Sequence, residues 1–189
     1  MPLEFHLTYR GPVYSGGNRP NGTQARKRLQ QNKHALRLVF HQQLMRFCEL
    51  PGVLVDGDTT YPYILDQGTV RTIGKFKFFA LGGKRRHGPL LGDTACKLDI
   101  LLLRPLAVTV GDLDGKLKTI FDALHLPNAA QLTHVTESQM PRVTHCVVED
   151  DDQITAVNAR YDYLLDAKTD DELFVVIHVL LQPLGRSLT

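Results

Sequence analysis

The sequence predicts an α+β fold, a mixed β-sheet packed by one long basic helix and a short acidic helix. Three observations carry that reading. Apolar residues alternate with a period of two in stretches near the start, in the middle and at the end of the chain. Between these lie one long and one short stretch with apolar residues at helical spacing. No internal repeat, low-complexity tract or linker divides the chain, so residues 1–189 are expected to form one domain.

Residues 3–9 place Leu3, Phe5, Leu7 and Tyr9 on one face of a half-buried strand. Residues 11–22 hold four glycines, two prolines and two asparagines, a loop composition. Ser15 in that loop has no nucleophile-elbow frame, and the glycines lack phosphate-loop spacing. Thr23 is a candidate N-cap for a helix to about Phe47, in which Leu36, Val39, Phe40, Leu44 and Phe47 recur at helical spacing. Arg26, Lys27, Arg28, Lys33, Arg37 and Arg46 make this helix basic, either as a solvated face or as a surface for phosphates.

Residues 51–74 are irregular. A strand is expected at 75–81, followed by a turn-rich basic stretch with Lys84, Arg85, Arg86 and His87. A leucine-rich strand at 97–103 should end at Pro105. A helix over 112–125 is closed by Pro127 and Asn128. Residues 126–148 are expected as an inserted loop. Strands follow at 154–164 and 172–181, the second apolar on both faces and therefore central in the sheet.

The net charge of +2 does not by itself announce a nucleic-acid binder, so any such role rests on local patches. Cys48, Cys96 and Cys146 form no CxxC pair, which argues for small buried hydrophobes rather than a disulfide framework or a zinc site. His125, His134 and His145 show no metal-ligand spacing and read as ordinary polar residues. The first residues lack the cationic start and apolar run of a signal peptide, and no stretch is long enough to span a membrane. A cytoplasmic protein without a membrane partner is expected.

Two acidic segments carry the chemistry. In 112–124, Leu113, Leu117, Ile120, Phe121 and Leu124 form an apolar stripe, while Asp114, Lys118 and Asp122 follow at i, i+4 and i+8 on the opposite side. Asp112 sits at the helix start, where a carboxylate also serves as a cap. Glu149, Asp150, Asp151 and Asp152 form a run that repels itself unless a cation or ordinary solvation offsets the charge. Brought together, the two segments would make an all-oxygen site suited to Mg²⁺ or Mn²⁺ and to phosphodiester hydrolysis.

Asp112-Leu113-Asp114-Gly115 with Lys118, then Phe121-Asp122-Ala123-Leu124, resembles the DxDNxxK…DAL signature of the RusA-type Holliday-junction resolvases. Asp150-Asp151-Asp152-Gln153-Ile154 is similar to the DDxQ segment of that family. The resemblance implies metal ligation by Asp112, Asp114 and Asp151 with support from Asp150, and a catalytic role for Lys118 beside them. It also implies a homodimer that cleaves branched DNA. Arg26, Lys27, Arg28, Lys33, Lys84, Arg85 and Arg86 are the expected DNA contacts. Gly115 replaces the asparagine of the signature, and Val108–Gly111 replaces its basic run. A relative that binds DNA structure without cutting, and a non-enzymatic interaction module, are the alternatives.

Overall fold

The computed structural model describes residues 2–15, 23–50, 69–83, 94–106 and 112–183. The architecture is α+β. In chain order the elements are β1 (Leu3–Pro12), α1 (Thr23–Cys48), β2 (Thr69–Ile73), β3 (Phe76–Gly82), β4 (Thr94–Arg104), α2 (Leu113–Leu124), β5 (Thr144–Val148), β6 (Ile154–Tyr163) and β7 (Glu172–Pro183). Three short 3-10 turns lie at Ala129–Leu132, Glu137–Gln139 and Asp151–Gln153.

One sheet has the order β1-β7-β4-β6. β7 pairs antiparallel with β1 and with β4, while β4 and β6 run parallel. β7 is thus central, as its two-faced apolar character predicts. Its inward residues Leu173, Val175, Ile177, Val179 and Leu181 are buried, while Phe174, Val176, His178 and Leu180 on the other face are half-covered. The second sheet has the order β2-β3-β5, with β2 and β3 antiparallel and β3 and β5 parallel. Gly74 turns the β2–β3 hairpin at φ +60°, a left-handed conformation that costs glycine little.

The core joins Phe5, Leu7 and Tyr9 of β1 to Leu36, Phe40 and Leu44 of α1, Ile120 and Leu124 of α2, and the inward faces of β4 and β7. Ile120 and Leu124, one turn apart and almost wholly buried, fix α2 on this core; each contributes roughly 1.5–3 kcal/mol. β4 ends at Arg104, immediately before Pro105. All three cysteines are buried free thiols.

Residues 126–148 are not loop throughout. They contain two 3-10 turns and β5, and Leu132 and Cys146 pack with Phe76 and Phe78 in a second apolar cluster. The polar stretch ahead of β5 hides that strand from a periodicity reading. Lys33 and Arg37 are also misplaced by the view of α1 as uniformly basic on its surface. Both are buried, because they lie three and seven residues from Leu36, Phe40 and Leu44, on the same stripe. Among the described residues no helix is long and apolar enough to cross a membrane.

Candidate active-site cleft

Asp114, Leu117, Lys118, Phe121 and Asp122 of α2 line a cleft of about 330 Å³ together with Asp151. Residues of the two acidic segments therefore border one cleft, and Lys118 is on its wall. Asp114, Lys118 and Asp151 are exposed to solvent. Leu117 and Phe121, expected on the packing side alone, also form part of the cleft wall.

Asp112 has a different occupation. It is the N-cap of α2, and its Oδ1 accepts a hydrogen bond from the Gly115 N–H at 3.0 Å. Its Oδ2 accepts from the Ser15 hydroxyl at 2.6 Å. These two bonds, the Ser15 one foremost, hold its carboxyl below the usual aspartate range. A Cβ at Gly115 would overlap Ser15 Oγ and Asp112 Oδ2. Glycine in place of the signature's asparagine is thus what lets Ser15 reach the cap.

Ser15 is positioned by a docked segment. The Lys116 ammonium donates to the Val13 carbonyl at 2.9 Å, and the Thr119 hydroxyl to the Tyr14 carbonyl at 2.7 Å. From α1, Asn32 donates to the Pro12 carbonyl and accepts from the Tyr14 N–H. Arg28 lies over the Tyr14 ring, 4.2 Å from its centroid. An exposed cation of α1 is thereby tied to the segment that carries Ser15.

The acidic run divides its charges. Glu149 is buried and paired with Arg71 at 2.7 Å. Asp150 lines a neighbouring cavity with Arg71 and His125 rather than the cleft, so the structure does not place it beside Asp151 as a metal ligand. Gln153 organises the turn. The two hydrogens of its amide nitrogen are shared among the carbonyls of Gly82, Gly83 and Thr94, and its oxygen accepts from the N–H groups of Glu149 and Asp150. Buried polar atoms satisfied this fully hold a backbone in one conformation. The Gln of the DDxQ segment had drawn no role from the sequence, although an amide next to four carboxylates is a signal for one.

Asp122, the third member of the i, i+4, i+8 series, is mostly buried. It pairs with Lys33, with His125 Nε2 at 3.2 Å, and with Gln131 Nε2 at 3.4 Å. Burial alone would raise its pKa, but the bonds from His125 and Lys33 hold it down to about 2. Conversely, Asp122 and the Leu126 carbonyl raise His125 against the opposing effect of its burial. Lys33 is therefore an internal partner rather than a DNA contact. Arg26, Lys27 and Arg28 are exposed as expected, while Lys84, Arg85 and Arg86 lie outside the described residues.

Among the described residues no three His, Cys, Asp or Glu side chains are grouped to hold a metal ion. Asp114 and Asp151 nonetheless offer an all-oxygen pair, and Mg²⁺ commonly takes only one or two protein carboxylates beside waters and substrate phosphate. The donor chemistry fits such a cation. Asp112, held by Gly115 and Ser15 at the helix start, is not among the residues that line the cleft. Compared with protein-family models, curated proteins and solved structures, the chain gives no significant match.

Proposed function

We propose that this chain is a divalent-metal-dependent endodeoxyribonuclease acting on branched DNA, with Asp114, Lys118 and Asp151 at the cleavage site. The observation that carries the reading is the meeting of two acidic segments, remote in sequence, around one cleft with Lys118 on its wall. The likeness of those same segments to the RusA-type signature gives the substrate class.

In this reading Asp114 and Asp151 would hold Mg²⁺ or Mn²⁺, which would supply positive charge at the phosphate and a more acidic water. Lys118 places a second positive charge where the phosphate becomes more negative in the transition state. Asp112 fixes the start of α2 and so sets the direction of Asp114. Arg26, Lys27 and Arg28, with Lys84, Arg85 and Arg86, hold the flanking phosphates, and affinity falls steeply with added salt. A homodimer would present two clefts to a four-way junction.

The test is cleavage of a labelled four-way junction in Mg²⁺ or Mn²⁺, with linear duplex and Asp114→Asn as controls. Junction cutting that needs metal and vanishes in the variant is the expected result. Metal-dependent cutting that survives Asp114→Asn would refute the site. A second reading, junction binding without cutting, draws support from the engagement of both Asp112 oxygens. It requires binding that persists in EDTA with no product at any metal concentration.

A further inference from the structure

We infer that the cavity between α1 and the 3-10 turns following α2 receives an unstacked nucleobase of bound DNA. The cavity measures about 400 Å³, within the range of small-ligand pockets. Gln30, His34 and Leu38 line it from α1, at successive turns of one helix face. Gln131, Val135 and Gln139 face them.

No charged side chain belongs to this lining. It combines amides that donate and accept, the two flat imidazoles of His34 and His134, and an aliphatic floor. Those are the complements of a neutral planar heterocycle with a mixed hydrogen-bonding edge, the way proteins hold splayed-out bases. The wall is also polar and incompletely satisfied. The His34 ring lies against the Gln139 backbone, and Gln30 Oε1 is enclosed without a partner.

Two further placements favour DNA as the source of the base. Arg26 and Lys27 precede Gln30 and Gln31 by one turn and are exposed, so they can hold the phosphates that flank an inserted nucleotide. Gln131, on the cavity wall, donates to Asp122, which lines the acidic cleft. Cavity and cleft are thus opposite sides of one hydrogen bond. This assignment rests on the nucleic-acid reading given above.

The experiment uses the full chain in EDTA and a duplex with one unpaired 2-aminopurine. The reference is the same duplex with an abasic spacer at that position. The base-containing duplex is expected to bind about tenfold more tightly, the size of one good base contact, with a change in 2-aminopurine fluorescence. Ala35→Leu fills the cavity from an exposed helical position, and His34→Leu removes the ring nitrogens. Both should abolish the preference while leaving fully paired duplex binding and thermal melting unchanged. If His34→Leu lowers the melting temperature, Ala35→Leu decides alone. Equal affinity for the base and abasic probes, or a preference that survives Ala35→Leu, overturns the assignment. Because metal is absent, a failure of junction cleavage does not touch this result. Absence of binding to either probe overturns it together with the reading beneath it.

Discussion

The two ends of α2 carry the same sequence device and put it to opposite use. Asp114 and Asp122 lie two turns apart on one helix face, with Lys118 midway. Asp114 is exposed on the wall of the cleft, opposite the acidic turn. Asp122 is enclosed by Lys33, His125 and Gln131, and the nearby Arg37 donates to its backbone carbonyl. A carboxylate left in water can take a cation or meet a phosphate. One enclosed by fixed donors is already satisfied and acts as an internal tie. Chemical type and spacing are alike at the two positions, and the environment separates their roles.

The largest expected effect falls at the solvated end. Asp114→Asn should lower metal-dependent cleavage on the order of 10²–10³-fold, as loss of one electrostatic contributor commonly does. Stability should stay within about 0.5 kcal/mol, as for other surface changes. A large loss of stability in that variant would erase the contrast.

Asp122→Asn should act the other way, costing about 3 kcal/mol in urea unfolding because it leaves Lys33 buried without its counter-charge. Lys33→Met combined with Asp122→Leu should recover much of that loss. Near-neutral behaviour of Asp122→Asn would show that the two ends are alike after all.

Gln153→Leu ranks next, at about 2 kcal/mol for the unsatisfied backbone groups it leaves. It should also reduce cleavage by displacing Asp151, a coupled effect that Asp114→Asn does not show.

The remaining effect is read as a shape in the pH dependence of stability rather than as a single loss. Burial, with a lesser effect of His41, holds the His145 pKa down from 6.5 to about 4. His34 and His41 are lowered in the same direction by burial. In that window the unfolded chain binds more protons than the folded one, so stability falls as the pH is lowered from 6.5 towards 4. Asp122, at about 2 when folded against 3.8 when free, contributes fully above 3.8 and loses that contribution only between there and pH 2. Acid unfolding should therefore have two parts, and His145→Gln should weaken the upper one alone. A single transition below pH 4, unchanged in the variant, would contradict this.

Most of the regular structure could be read from periodicity. β1, β4, β6, β7 and both helices follow from apolar spacing at two or at 3.6 residues, together with punctuation at Pro105 and Pro127. β5 could not be read this way, because Thr144 and His145 open a five-residue strand after a polar stretch. Its burial comes from α1 and β3, not from a pattern of its own. The burial of Lys33 and Arg37 was available in the spacing to Leu36 and Phe40, but charge obscured it.

The sequence by itself determined most of the elements, that two acidic segments exist, and that one of them opens a helix beside a lysine. Only the tertiary structure decided which of those carboxylates face water. Asp112, a cap by its place in the sequence, has its second oxygen taken because the segment after β1 brings Ser15 to it. Asp122 became a tie because α1 delivers Lys33, and Asp150 parted from Asp151 because Gln153 fixes the turn. A carboxylate's role depends on the dielectric and the donors within a few ångströms, and distant parts of the chain supply both.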